Sequence, residues 1–512
     1  MHVRGVGRDH GGGAAHERDE ILQVAAGLAV SLVPGVAVPQ LEPDLVFFVF
    51  LPPILWAAAF FTSVRDFRAN RRAIGLLAVG LVLATAAAVA VVARALFPGM
   101  PWAVAVALGA VVSPPDAVAA AAIVSRLPVP RRVIVVLEGE SLVNDASALV
   151  LYRTAVAAAV TGAFSWGEAV VRFFVDAGVG AAVGVLVAWL AVRALRWTRD
   201  PLAETLLTLA APYVAWVAAE ELHASAVLAC VAGGIYLRRH FSTAVSSMSR
   251  IENRAVWDLV VFTLNATIFL LLGVQFGALL QGMPGATRGR LLAAGAVVGA
   301  VVIAVRLVWV PLATVLPRLL SRRLRGADPL PPWRPVFLVA WTSMRGIVSL
   351  ATAFALPLAL SNGRPFPYRE EIAVVTMCVI LLTLVVQGLT LAPIIRAFKF
   401  TPDETPHREA RLARLEAARR GAETLDDLAR EEWVDRRDVE WLRGELRDRV
   451  RLLTEHAGEP AARRRLRGEV VRAERRMLVR LRDEGAISDE VLGELEQELD
   501  FEAVRVGVGD GR

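Results

Sequence analysis

The chain has 512 residues, 55% apolar and 21% charged, with a net charge of +6 and a mean hydropathy of +0.51. Ordinary globular domains run about 45–50% apolar with glycine counted in, so this chain is too apolar to be soluble throughout. Two cysteines exclude a disulfide framework, and no C-x-x-C string or Cys/His cluster suggests zinc. The basic set, in which Lys399 is the only lysine, reads as genome composition rather than nucleic-acid binding.

Charge is unevenly spread. Residues 401–512 carry 23 arginines against 28 acidic residues, whereas residues 1–400 carry a sparse set with a surplus of 11 positive charges. The contrast divides the chain into a polar leader (1–20), a membrane body (21–400) and a charged, water-exposed tail (401–512).

In chain order, the leader has scattered charges and no apolar run, so it is no signal peptide and is expected to be disordered. A bilayer span needs roughly 20 mostly apolar residues. Twelve such windows follow, at 21–35, 44–62, 73–97, 102–125, 133–163, 169–196, 202–220, 224–237, 255–280, 290–316, 336–360 and 372–397. Arginines fill every second connector: Arg65, Arg68, Arg71 and Arg72 in one, Arg126, Arg131 and Arg132 in the second after it, and so on to Arg318–Arg325. The alternate connectors, such as Pro98–Pro101, are almost free of charge. Basic connectors mark the cytoplasmic side, which places both termini in the cytoplasm of a multi-pass protein of the cell (inner, plasma) membrane.

An ionisable residue deep in a span costs roughly 2.5–3.5 kcal/mol on insertion scales, so each one demands a reason. Three spans concentrate them. In 102–125, Ser113-Pro114-Pro115-Asp116 removes two amide donors and frees the carbonyls of Ala110 and Val111. A break at that depth must face protein or a wet cavity. Asp116 beside the freed carbonyls suits a cation corner, or else caps the second half-helix of a plain proline kink. In 133–163, Glu138-Gly139-Glu140-Ser141-Leu142-Val143-Asn144-Asp145 places Ser141 and Asp145 on one helical face, and Glu140 and Asn144 on a neighbouring one. Asp145 with Ser141 offers hard oxygens for a small monovalent cation, with an interhelical hydrogen-bond network as the alternative. In 336–360, Arg345 lies too deep to reach either water phase and calls for a buried carboxylate. Glu140 is the candidate partner, as a structural ion pair, and Arg306 with Glu138 is a possible second pair.

Spans three to five run opposite to spans ten to twelve, and each triplet has a broken or polar middle helix. The expected fold is therefore an all-α polytopic membrane protein of about twelve transmembrane helices. It has inverted-topology repeats, two interrupted helices crossing near the midplane, and a helical tail. The tail alternates Arg, Glu, Leu and Ala, as in Arg411–Arg420 and Asp438–Leu453, and reads as helical hairpins. It carries no EF-hand or P-loop string, and its partner stays open between a regulatory ligand and none. A terminal Gly507-Val508-Gly509-Asp510 matches the GxGD string of intramembrane aspartyl proteases but lies in hydrophilic sequence beyond the last span.

Five ordered blocks resemble the sodium/proton exchangers of the cation:proton antiporter-1 family. They are Phe50-Leu51-Pro52-Pro53, Ser113-Pro114-Pro115-Asp116, Glu138 through Asp145, Met344-Arg345-Gly346 with Ser349-Leu350, and Gln387-Gly388-Leu389-Thr390-Leu391. The resemblance covers about residues 21–400 and leaves the tail out. It implies alternating-access exchange of Na⁺ (or Li⁺, sometimes K⁺) for H⁺ by a homodimer with no cofactor. A core, about 73–163 and 290–397, would move against a dimerisation scaffold. It also implies that Asn144-Asp145 is the ion site, with Ser141, Asp116 and the Pro115 backbone carbonyl completing coordination and Glu140–Arg345 as the core pair. The Asn-Asp form resembles the electroneutral branch. Departures are the absent extra helix before the first span, the neutral Trp56-Ala57-Ala58-Ala59, and Pro115 where a threonine is usual.

The expected mechanism is competition at one carboxylate: Asp145 takes a cation or a proton, and an empty charged site is too costly to move across the membrane. K⁺/H⁺ exchange is the nearest alternative. A sensor signalling through the tail is an alternative of another class, against which the retained carboxylates 116 and 145 argue. No zinc-hydrolase or embedded G-x-S-x-G string suggests an enzyme.

Overall fold

The computed structural model describes residues 12–33, 43–116, 124, 127–162, 166–198, 200–401, 405–431, 433–454 and 461–484, with part of 486–499. Among the described residues the chain is helical, with one isolated bridge between Ala359 and Pro365. It divides into two compact units, residues 1–402 and 403–512.

Helix α1 (Gly12–Ser31) opens the first unit, so part of the expected disordered leader is helical. Ala14, Ala15, Glu17, Arg18 and Glu20 are good helix formers that extend the apolar segment backwards by more than two turns. Residues 1–11 and Gly507–Asp510 lie outside the described residues. Next come α2 (Pro43–Phe61) and a rod made of α3 (Val64–Gly75), a π-helical stretch (Leu76–Leu81) and α4 (Val82–Leu96). A π-bulge releases backbone groups from the i→i−4 ladder, and here the Trp309 indole donates to the Leu76 carbonyl at 3.1 Å.

Helix α5 (Trp102–Val112) stops where the two prolines were expected to break it, and residues 113–116 are non-helical. The long α6 (Arg131–Thr161) ends on Gly162 at φ 72°, a left-handed cap that suits glycine. Then follow α7 (Trp166–Trp197), α8 (Pro201–Glu221), α9 (Ala226–Ala244), α10 (Ser247–Gln281), α11 (Gly285–Leu320) and the short α12 (Arg322–Ala327). The expected span 336–360 is two helices, α13 (Trp333–Trp341) and α14 (Ile347–Phe354), separated by non-helical 342–346. Helix α15 (Arg369–Phe398) closes the unit.

Among the described residues, six helical rods are long and apolar enough to cross a bilayer by themselves: Val64–Leu96, Phe174–Trp197, Pro201–Glu221, Met248–Gln281, Gly285–Leu320 and Arg369–Phe398. Helix α6 is not among them, because Glu138, Glu140, Asp145 and three arginines interrupt it. Packing sorts the unit into two groups. The α3–α4 rod, α5, α6, α11, α13, α14 and α15 pack on one another; α7, α8, α9, α2 and the α1–α10 pair form the rest. Between α1 and α10 the backbones nearly touch: a Cβ on Gly27 would lie 2.0 Å from the Leu270 carbonyl oxygen. Small residues permit that approach where lipid offers no hydrophobic drive between helices.

The second unit contains α16 (Thr405–Leu428), α17 (Arg436–Thr454) and α18 (Ala461–Asp483), with α16 packed on α17. Exposed i,i+3 pairs such as Arg420–Glu423 (2.7 Å) line the wet faces, where solvent screens them.

Candidate functional site

The two broken helices meet. The Asp116 amide donates to the Met344 carbonyl at 2.7 Å, and the Arg345 guanidinium reaches back to the end of α5. Its Nε donates to the Val112 carbonyl at 3.0 Å, its Nη1 to the carbonyl and hydroxyl of Ser343, and its backbone N–H to Thr383 Oγ1 at 3.2 Å. Ser113 Oγ caps the Ala110 carbonyl at 3.0 Å. The Ala110 carbonyl, which Pro114 strips of its helical partner, is thus taken by a hydroxyl, and the Val112 carbonyl, left free where the Asp116 amide turns to Met344, by a buried arginine, as a break at membrane depth requires.

Helix α6 lies against this junction. Asn144 is fully buried, and its Nδ2 donates to the Pro115 carbonyl at 2.9 Å. Asp145, also buried, makes no salt bridge among the described residues. A small cavity of about 30 Å³ brings together Asp145, Ser141, Asp116, Pro114, Gly346 and Ser349, closed on the far side by Leu51, Ile54, Leu55 and Ala58 of α2. Such a space admits one water-sized guest. Two carboxylates and two hydroxyls around it form an all-oxygen set, the donor type that hard cations take. Because α2 packs with α9 and not with the α3–α6 helices alone, the cavity sits where the two packing groups face each other.

The predicted residues Asp145, Ser141 and Asp116 are therefore neighbours. Asn144 and Pro115 are placed differently from the expectation. They are bonded to each other rather than lining the cavity, so Asn144 fixes the unwound segment after α5 against α6, and Pro114 takes the lining position. Ser349 was missed as a site residue. Its hydroxyl is buried and unpartnered and borders the cavity, and the one signal for it in the sequence was its place one turn beyond the Arg345-Gly346 break.

The ion pairs need correction. Glu140 pairs with Arg306, not Arg345: both carboxylate oxygens accept, Oε2 from Nη2 at 2.8 Å, and both side chains are about 1% exposed. Arg306 Nε also donates to the Val339 carbonyl at 3.1 Å. Glu138 is partly exposed and makes no ion pair among the described residues. The physical reason lies in the backbone. Arg345 sits in a break whose free carbonyls satisfy its fixed fork of five donors. Arg306 sits mid-helix in α11, where the carbonyls are already bonded, and so it takes the carboxylate.

The profile described as "Sodium/hydrogen exchanger, transmembrane" matches residues 20–397. An uncharacterized Na⁺/H⁺ exchanger of Mycobacterium tuberculosis is 35% identical over 499 residues, covering 95% of this chain and 91% of its own length. A Bacillus subtilis protein named as a sodium, potassium, lithium and rubidium/H⁺ antiporter is 33% identical over 383 residues, covering 72% of this chain and 57% of its own. In fold, the chain is similar to the sodium proton antiporter MjNhaP1 of Methanocaldococcus jannaschii. The TM-score is 0.56 at 16% identity, over 76% of this chain and 98% of that one.

Proposed function

The chain belongs to the sodium/hydrogen exchanger family of multi-pass cation/proton antiporters, which are transporters and not enzymes, and we propose that it exchanges one Na⁺ or Li⁺ for one H⁺, electroneutrally, by alternating access. The observation that carries this reading is the buried, salt-bridge-free Asp145 on a one-guest cavity shared with Asp116, Ser141 and Ser349. Two ionised carboxylates on so small a space repel each other, so the loaded site holds a proton or a cation. An ammonium or guanidinium that locked Asp145 permanently would remove that choice, and none does so among the described residues. In this role Asn144 positions Asp145 and the Pro115 carbonyl, and Glu140–Arg306 braces α6 on α11.

The remaining parts of the reading are supported by the two packing groups and by the arginine pattern of the connectors. The α3–α6 and α11–α15 helices form the moving core, built as opposed repeats whose broken members cross beside the site. The other helices form the scaffold of a homodimer in the cell membrane, with both termini in the cytoplasm and twelve crossings in all. The tail supports or regulates the dimer, and the exchange serves cytoplasmic pH and sodium homeostasis.

The test is proton flux in liposomes reconstituted with the full chain, with Na⁺, Li⁺ and K⁺ supplied separately. Flux dependent on Na⁺ or Li⁺, lost in Asp145→Asn, supports the reading; cation-dependent flux surviving in Asp145→Asn overturns it. Exchange of K⁺ as well is the second reading, favoured by the broader cation range in the name of the Bacillus relative.

A further inference from the structure

A second cavity lies away from the ion site, at the arginine-rich end of the same helices. Its volume is about 450 Å³, within the size range of small-molecule sites. Its walls are apolar, from Leu76 and Leu77 of the π-helical stretch, Val136 of α6, Val310 of α11, and Val336 and Val339 of α13. Its floor also touches the core, because the Val339 carbonyl is the one held by Arg306.

The rim is charged. Arg72, Arg132 and Arg318 line it, and all three converge on one carboxylate, Asp328: Arg72 at 3.1 Å, Arg132 at 3.0 Å and Arg318 at 2.6 Å. Three guanidiniums on one carboxylate leave a surplus of two positive charges among the described residues. The Nε of Arg72 is buried with no hydrogen-bond partner. The stretch that closes the rim is Pro329-Leu330-Pro331-Pro332, whose prolines supply no amide donors to compete. Beside it, Leu319, Leu320, Leu330 and Trp333 project large apolar side chains outwards, from 57% to 79% exposed. Exposed leucines with a tryptophan next to arginines are what the boundary between acyl chains and headgroups selects.

We propose that this cavity binds an anionic phospholipid. The phosphodiester is held by Arg72 and Arg132, whose donors Asp328 does not exhaust, and an acyl chain enters the apolar cavity beneath. A guanidinium fork matches phosphate oxygens in two-point contact, and a basic pocket between helices at membrane-surface depth is suited to an acidic headgroup. A soluble anion would gain nothing from six aliphatic walls, and a zwitterionic lipid would bring its own cation to a rim that already has two in excess. The occupant would press on Val136 and Val339, one turn from the Glu140–Arg306 pair, so its binding stiffens the α6–α11–α13 junction.

The experiment is native mass spectrometry of the delipidated full chain in detergent. Phosphatidylglycerol and phosphatidylcholine of identical acyl chains are titrated, with glycerol phosphate as headgroup-only competitor. The expected result is phosphatidylglycerol bound at least ten-fold more tightly than phosphatidylcholine, with glycerol phosphate failing to displace it. Arg72→Gln/Arg132→Gln, which leaves the Arg318–Asp328 bond in place, and Ala313→Phe, which fills the cavity and leaves every charge, should each weaken phosphatidylglycerol at least ten-fold. Thermal melting checks that each variant is folded, and Val336→Phe replaces Ala313→Phe if the latter is not. Equal affinity for the two lipids, displacement by glycerol phosphate, or a filled cavity that binds as before would each overturn the proposal.

Discussion

Gly346 faces Asp116 so closely that a Cβ added to it would lie 1.7 Å from the Asp116 Oδ2. The two residues belong to different broken helices, joined two residues away by the bond from the Asp116 amide to the Met344 carbonyl. A methyl group there must push the carboxylate out of the small cavity or part the two breaks. Gly346→Ala is therefore expected to cut cation-dependent proton flux at least ten-fold. Gly388→Ala is the control: it belongs to an equally conspicuous sequence block, yet its nearest neighbours lie 3.9 Å away. Alanine there should leave flux intact and add up to about 1 kcal/mol, because glycine is the poorer helix former. Flux assays on the two variants side by side separate a steric requirement from motif membership.

Asn144 holds the Pro115 carbonyl with a single donor, and among the described residues no other side chain bonds that oxygen. Asn144→Ala leaves a buried carbonyl unsatisfied, at a cost of about 1–3 kcal/mol. Asn144→Asp, ionised, is expected to lose the same bond, since a carboxylate only accepts. Both variants should melt below the wild-type chain in detergent. Wild-type melting in Asn144→Ala would show that the bond contributes nothing.

Glu140 and Arg306 form a doubly bonded pair at about 1% exposure. Removing one partner of a buried pair typically costs about 3–5 kcal/mol, whereas replacing both with apolar groups is often close to neutral. The expected order of thermal stability is therefore wild type, then Glu140→Met/Arg306→Met, then either single variant. Arg306→Met should be lowered further by the loss of its bond to the Val339 carbonyl. Glu140→Met/Arg345→Met serves as the comparison pair. With no direct bond between those two residues, the effects of its single variants should be closer to additive.

These pairs also mark how far the sequence could be read. Helix positions and both breaks were legible, because twenty-residue apolar windows and Pro114-Pro115 act locally. Asp145, Ser141 and Asp116 were legible as neighbours, because each lies where charge is expensive and must find a reason. Which arginine takes Glu140 was not legible from depth in the span, since Arg306 and Arg345 are equally far from water. What decides it is whether the local backbone still has carbonyls to offer, and that follows from seeing residues 342–346 unwound. Ser349 escaped notice for a related reason: a hydroxyl in an apolar helix usually bonds its own i−4 carbonyl, as Thr352 does with Val348 at 2.7 Å, and only the structure shows Ser349 without that bond. The helical start at Gly12 escaped because polar helix formers give no hydropathy signal.

Asp328 supplies a test in the water-exposed connector. Burial alone would raise its carboxyl. The hydrogen bond and charge of Arg132, with the charges of Arg318 and Arg72, outweigh burial and hold it below the ordinary aspartate value. Once that value of about 3.9 is passed on acidification, an unfolded chain takes up the proton while the folded one still resists it. The stabilisation from Asp328 is therefore fully present above that point and is lost as pH falls through the lower folded value. Asp328→Asn should melt below wild type at neutral pH, with the gap closing only as the buffer is acidified below the ordinary aspartate value. Since every other carboxylate is shared by the two proteins, the difference between the melting curves isolates this one. A gap that stayed constant with pH would mean that Asp328 acts by packing alone, and that its three arginines add no charge-dependent stability.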